Sequence, residues 1–112
     1  MKISARHQAG ITVLEPKGKI TIGMGDVALR DSVQEALEAG SRDILIDLNE
    51  VSTIDSSGIG ELVSAYTTVT NRGGKLKLLR LPPKVEDILQ ITQLMTVFEV
   101  FDDEAEALES FG

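Results

Sequence analysis

The stretch Ile44-Leu45-Ile46-Asp47-Leu48, followed soon afterwards by Asp55-Ser56-Ser57-Gly58, decides the fold of this chain. The first segment is almost continuously apolar, which is typical of a strand that is covered on both faces of a sheet. After Gly58, apolar residues recur at helical spacing, at Ile59, Leu62, Val63, Tyr66 and Val69. The pattern predicts a buried strand, a short link over residues 49–54 and then an amphipathic helix.

Ser56 and Ser57 therefore fall at the predicted start of a helix, at the carboxyl end of a strand. Sites in open α/β sheets are built at this edge. A helix N-terminus offers N–H groups without intrahelical partners and a partial positive charge, so it can hold a phosphate. The same residue types are also ordinary caps and turn residues. The motif alone indicates either a site or a simple cap.

Strand patterns alternate with helix patterns along the rest of the chain, which predicts right-handed crossovers in a mostly parallel sheet. The expected strands cover residues 3–5, 11–14, 19–22, 44–48, 76–79 and 97–101, with the N-terminal pair antiparallel and Pro16 confined to an edge or bulge. We therefore predict an α/β fold, a single domain over residues 1–112 with a small, mixed, mostly parallel sheet and about four helices.

The ends of the helices carry recognisable signals. Asp26 and Asp102 are predicted to cap the first and last helices, and Pro82-Pro83 to open the third. The first helix should stop at Gly40, because glycine readily adopts the left-handed conformation that ends helices. In the last helix, Ala105 and Leu108 are expected to face inward.

Composition narrows the classes of function. A net charge of −7 over 112 residues argues against binding to nucleic acid, which needs clustered Lys and Arg, and against anionic membrane surfaces. No apolar run approaches a membrane span, and residues 1–7 lack the apolar core of a signal peptide. The absence of Cys excludes disulfides and fits a reducing compartment. We expect a cytoplasmic protein that binds neither nucleic acid nor membrane.

A nucleotide site in a glycine-rich stretch and a catalytic or metal site at the single His are both less favoured than structural roles for the same residues. Gly23-Met24-Gly25-Asp26-Val27-Ala28 matches the dinucleotide-binding fingerprint, but the chain has too few βαβ units and Asp26 would place a carboxylate at the pyrophosphate. A steric turn before a helix also explains these glycines. The lone His7 cannot be assigned as the base of a serine nucleophile, and one His without Cys gives no metal site. We expect no cofactor, no metal and no enzymatic activity.

The order of elements resembles the STAS family, the anti-sigma factor antagonists of bacterial partner switching. The resemblance covers nearly all of the chain. Its most specific parts are Ile46-Asp47-Leu48, Ile54-Asp55-Ser56-Ser57-Gly58-Ile59-Gly60 and Gly73-Gly74-Lys75-Leu76. In that family the first Ser after the Asp accepts phosphate, which corresponds to Ser56, with Ser57 as the rival acceptor or a helix cap.

The resemblance implies a phosphorylation-controlled switch. The unphosphorylated protein would bind an anti-sigma factor that is itself a serine kinase, and so release a sigma factor. The kinase would phosphorylate Ser56 and end the complex, and a separate serine phosphatase would reset it. Two alternatives stay open: a STAS-like accessory subunit of a lipid-transport complex, and a small nucleotide-binding domain that uses Gly23 to Ala28.

The partner is expected to dock where the loop ending at Gly25 and the loop starting at Asp55 lie together, because both should follow neighbouring parallel strands. Small residues there would let another backbone approach closely. The predicted contact residues are Met24, Asp26, Asp55, Ser56, Ser57, Gly58, Gly60, Glu61, Ser64, Ala65 and Thr68.

Overall fold

The computed structural model describes every residue of the chain, 1–112. The six strands are β1 Lys2–Gln8, β2 Ile11–Ile20, β3 Asp43–Asp47, β4 Val51–Ile54, β5 Leu76–Leu79 and β6 Val100–Phe101. The four helices are α1 Gly25–Glu38, α2 Ser56–Asn71, α3 Pro83–Ile91 and α4 Glu104–Ser110, and Leu94–Thr96 forms one turn of 3-10 helix.

The strands form one mixed sheet in the order β1-β2-β3-β5-β6, and β4 pairs with the far half of β2. Only the β1–β2 pair is antiparallel, and the other pairings are parallel. The predicted α/β fold with a mostly parallel sheet, an antiparallel N-terminal pair and four helices is confirmed.

β2 is longer than predicted and has two parallel neighbours. The segments 11–14 and 19–22, expected as separate strands, belong to one strand that contains Pro16. β2 pairs with β3 as far as Leu14 and with β4 from Gly18 onwards. Pro16 lies between these two pairings, where the N–H that it lacks would meet neither parallel neighbour.

β4 was missed by the sequence prediction, which assigned residues 49–54 to a link. It has four residues, and only Val51 and Ile54 are fully buried. Because β4 pairs with the end of β2, the helix α2 begins beside β2. The last strand is also shorter than predicted, with two residues.

Two predicted helix caps are wrong. Asp26 is the second residue of α1 and its carboxylate accepts only the N–H of Val27, so it does not cap the helix. In α4 the capping carboxylate belongs to Asp103, not Asp102, and accepts the N–H of Glu106. Of the two residues expected to face inward in this helix, Leu108 is partly buried against the core and Ala105 is exposed, while Ala107 is the residue that is fully buried.

The sheet buries apolar side chains on both faces. The larger face is covered by α1, α2 and α3 in a cluster of 20 buried residues that includes Ile46, Leu62 and Leu89. The smaller face is covered by α4, with Ile11, Val13, Leu45, Leu79 and Ala107 buried together. Fully burying a Leu, Ile or Val side chain stabilises a fold by about 1.5–3 kcal/mol, so both layers contribute to the stability.

Polar contacts hold α4 at both ends. At its start, Glu104 forms an ion pair with Arg6 of β1, across 98 residues of sequence. At its end, the buried ammonium of Lys77 lies 2.9 Å from both the carbonyl oxygen and the Oγ of Ser110. Lys77 Nζ also lies 4.8 Å from the ring centroid of Phe111. The last helix therefore ties the first strand to β5.

Candidate functional site

The loops that follow β2 and β4 meet at one edge of the sheet, as predicted. The N–H of Asp55 donates to the carbonyl oxygen of Ile20 at 3.3 Å. The N–H of Ile22 in turn donates to the Oδ2 of Asp55 at 3.0 Å. These bonds place the start of α2 beside the loop of residues 21–24 that leads into α1.

Two glycines allow both helices to start against the end of β2. A Cβ on Gly25 would overlap the carbonyl oxygen of Lys19, and a Cβ on Gly58 would overlap the carbonyl oxygen of Ile20. Within the Gly-rich stretch at residues 23–28, Gly25 is therefore explained by the close packing of α1 on β2, and Gly23 by its positive φ of 89°. Asp26 lies in the first turn of α1 and is 7% exposed. Its carboxylate therefore occupies the helix end where a pyrophosphate would have to bind.

Asp55 is the N-cap of α2. Its Oδ1 accepts the N–H of Gly58 at 3.0 Å, and its carbonyl oxygen accepts the N–H of Ile59 at 2.9 Å. The N–H of Ile22, and then that of Gly58, lower the pKa of Asp55 below its usual value. The sequence suggested free N–H groups that could hold a phosphate at this end of the helix. One of these groups, the N–H of Gly58, already donates to the capping carboxylate of Asp55.

The two candidate hydroxyls differ in access. Ser56 is exposed as the first residue of α2, whereas Ser57 is half-buried. The capping role suggested for Ser57 is filled by Asp55. Ser56 thus presents its hydroxyl to solvent immediately beside a carboxylate.

Three large apolar side chains are exposed in the loop and the first turn of α1. Ile22 is 73% exposed, Met24 69% and Val27 39%. Side chains of this size are normally withdrawn from water, and an exposed group of them next to a site is typical of interaction surfaces. Met24 is therefore available for contact, as the sequence prediction required.

The other predicted contact residues fall into three groups by their exposure. Ser56, Gly60 and Ser64 are exposed, and Asp55, Ser57, Glu61 and Thr68 are half-buried. Gly58 and Ala65 are buried, as is Asp26 in α1. These three residues have little surface to offer a partner in the free protein, because α1 and α2 pack together and onto the end of β2. Their contact with a partner stays a prediction.

Glu61 is already paired within the molecule. Its Oε1 lies 2.6 Å from Nη2 and 3.1 Å from Nε of Arg30, which projects from α1. The carboxylate side chain is 16% exposed and that of Arg30 is 59% exposed. The charge that this face offers to a partner is therefore the outer side of Arg30, which the sequence analysis did not single out.

Sequence reasoning also left Val27 out of the contact residues. The signal was present, because Val27 lies off the apolar stripe of the first helix, which is made by Leu29, Val33, Ala36 and Leu37. An apolar residue outside the buried stripe of an amphipathic helix is a candidate for contact with another molecule.

Other features of the structure lie apart from this edge. A cavity of about 550 Å³ is lined by residues of α2, β5, α4 and the segments before β5 and β6, among them Tyr66, Lys75 and Phe98. Asp47, whose pKa is raised by burial, lies 3.5 Å from the guanidinium of Arg80. No group of three or more His, Cys, Asp or Glu side chains could hold a metal ion. None of the helices combines the length and apolar character needed to cross a membrane.

Comparison with known proteins identifies the class. The family model for the STAS domain matches residues 2–107, and the chain belongs to this family. The anti-sigma F factor antagonist of Paenibacillus polymyxa is 24% identical over 109 residues, which cover 96% of this chain and 92% of that protein.

Solved structures agree with the fold. The Thermotoga maritima protein TM1081 superposes with a TM-score of 0.90 at 24% identity, covering 97% of this chain and 93% of that one. The Bacillus anti-sigma factor antagonist SpoIIAA in its phosphorylated form gives a TM-score of 0.75 at 19% identity, covering 97% and 98%. The single STAS-like domain, with its four helices and mixed sheet, is therefore the fold of this protein.

Proposed function

We propose that this protein is an anti-sigma factor antagonist whose binding is switched off by phosphorylation of Ser56. The observation that carries the proposal is the exposed hydroxyl of Ser56 at the start of α2, adjoining the loop that presents Ile22 and Met24. The relatives named as anti-sigma factor antagonists, and the existence of SpoIIAA in a phosphorylated form, support it. The protein acts by binding and not by catalysis.

The transfer itself needs little from this chain. The Ser56 oxygen forms a bond to the γ-phosphorus of ATP while the bond from that phosphorus to the bridging oxygen breaks. ADP leaves, and the hydroxyl proton is lost to the kinase. Because Ser56 is exposed, another protein's active site can reach its oxygen without unfolding α2.

The added charge opposes binding. A phosphoserine brings about −1.5 to −2 charges and three strong acceptor oxygens. Solvent can hydrate these charges in the free protein, so the domain stays folded. In a closed interface the phosphate would lose water next to the Asp55 carboxylate, and an unpaired buried charge is costly. Because about 1.4 kcal/mol changes affinity tenfold, a few kcal/mol suffice to separate the partners.

The partners follow from this mechanism. The protein binds an anti-sigma factor with serine kinase activity, and binding releases the sigma factor. A serine phosphatase returns Ser56 to its hydroxyl form. The contact surface consists of Ile22, Met24 and Val27 with Ser56, and the exposed residues Gly60 and Ser64 continue it along α2.

The decisive experiment is phosphorylation by the cognate kinase. The wild-type protein, Ser56→Ala and Ser57→Ala are incubated with ATP, Mg²⁺ and that kinase, and phosphate is located by mass spectrometry. We expect phosphate on the wild type and on Ser57→Ala, and none on Ser56→Ala, which should keep its circular dichroism and bind the partner permanently. Equal phosphorylation of Ser56→Ala would show that the acceptor is another residue.

A further inference from the structure

We infer that Asp55 is a positioning residue for the contact surface, and that a phosphoryl group on Ser56 releases the loop that Asp55 holds. The inference rests on the proposed function for the phosphorylation of Ser56. It adds that the phosphate does more than bring charge to the interface: it also loosens the segment that carries Ile22 and Met24.

The geometry joins two segments through one carboxylate. Oδ1 of Asp55 accepts the N–H of Gly58 inside α2, and Oδ2 accepts the N–H of Ile22, 33 residues away in sequence. Each bond measures 3.0 Å. The two oxygens therefore have different tasks: one caps the helix and the other holds the neighbouring loop.

The loop has no second attachment of this kind. The other hydrogen bonds of residues 21–24 stay within the loop or the first turns of α1: the N–H groups of Met24 and Asp26 donate to the carbonyl oxygen of Thr21, and that of Ala28 donates to Met24. Ile22 and Met24 are mostly exposed, so packing holds them little. The orientation of their side chains relative to α2 depends on Asp55.

A phosphate on Ser56 acts on this carboxylate directly. The two groups sit on adjacent residues, so their negative charges repel each other at short range. The phosphate oxygens also compete for the N–H groups at the start of α2, where anions are favoured. Repulsion displaces the Asp55 carboxylate, and competition removes its bond to Gly58, so the group that holds Ile22 is no longer fixed in position. A loop set free in this way must be ordered again on binding, which costs affinity.

The test measures hydrogen exchange of the Ile22 amide by NMR in the purified protein. Ser56→Asp supplies the negative charge, Asp55→Asn removes the charged acceptor, and Thr70→Asp is the control. Thr70 is exposed near the other end of α2, about 20 Å from Ser56 by the helical rise. We expect exchange at Ile22 to be about tenfold faster in the first two variants, as for a lost charge-assisted hydrogen bond, and unchanged in the control.

Each contrary result is informative. Unchanged exchange in folded Asp55→Asn would overturn the positioning role, and faster exchange there but not in Ser56→Asp would overturn the link to phosphorylation. If Asp55→Asn does not fold, the wild type decides the positioning role, because the amide shifts of Ile22 and Gly58 should then titrate together at low pH. Independent titration would refute the shared carboxylate. No kinase or partner is used, so a failure to phosphorylate Ser56 would count against the proposed function alone.

Discussion

Gly58 lies so close to the carbonyl oxygen of Ile20 that a Cβ at this position would overlap it and the side chain of Ile54. Two residues further along the same helix, Gly60 has no atom within 4 Å of its Cβ position. α2 therefore contains one glycine that the packing requires and one that it does not.

This pair yields a prediction about stability. Gly58→Ala should lower the free energy of unfolding by about 1–3 kcal/mol, because the added methyl group must displace the end of β2. Gly60→Ala should raise it by about 0.5–1 kcal/mol, because alanine favours the interior of a helix. Urea denaturation of both variants is the measurement. Equal effects of the two substitutions would show that α2 does not start in close contact with β2.

Met24 provides a test of the contact surface. Met24→Glu should weaken binding to the cognate anti-sigma factor at least about tenfold, because a carboxylate would be buried without a partner. Ile91→Glu is the matched control. Ile91 is an apolar residue that is 81% exposed at the end of α3, and this substitution introduces the same negative charge there. A binding titration that shows the larger loss for Ile91→Glu would place the contact surface on α3.

The ion pair between Arg30 and Glu61 predicts that reversing the charge of Glu61 affects stability as well as binding. Glu61→Arg alone should lower stability slightly, because it places two guanidinium groups together on a partly exposed surface. The double variant Arg30→Glu with Glu61→Arg should recover most of that loss. Thermal or urea unfolding of the single and double variants completes the cycle. If the double variant is no more stable than the single one, the pair does not form in solution.

The lowered pKa of Glu104 predicts how the stability of the fold depends on pH. The pKa of Glu104 is lowered, mainly because its carboxylate accepts a hydrogen bond from Arg6. A carboxylate with a lowered pKa stabilises the fold above its ordinary pKa, and this contribution is lost as the pH falls through the lowered value. Glu104→Gln should therefore reduce stability at pH 7 by about 0.5–1 kcal/mol, and the difference from wild type should shrink in acid. Glu106→Gln removes a carboxylate of the same helix that forms no ion pair, and it is the control for the loss of a negative charge alone.

The sequence predicted the strong periodic elements well and the short ones poorly. α2 and β5 were located because each has several buried apolar residues in a regular pattern. β4 was missed because it is short and has two polar residues, Ser52 and Thr53, between its two buried ones, which is typical of a loop. Its pairing partner, β2, lies far away in sequence. The length of β2 was missed because Pro16 usually ends a strand, and its effect depends on neighbours that the sequence does not show.

The candidate site shows the same division. The helix start at Ser56 was predicted from local signals, small polar residues between a strand and an apolar helical pattern. The role of Ser56 as phosphate acceptor came from the resemblance to the STAS family and stays a prediction. The burial of Ala65 and the pairing of Glu61 depend on how α1 crosses α2, and no local pattern reports that. The second hydrogen bond of Asp55 joins residues 33 apart, so it too could be found only in the folded molecule.

The attachment of α4 has a consequence for how the chain folds during its synthesis. Arg6 meets its partner Glu104 only after another 98 residues have been made. Until then, the apolar side chains of Ile11, Val13 and Leu45 lack the helix that covers them. Such late, long-range closure slows folding and leaves apolar surface open to aggregation. We therefore expect that a nascent chain stopped before α4 would need a chaperone to stay dispersed.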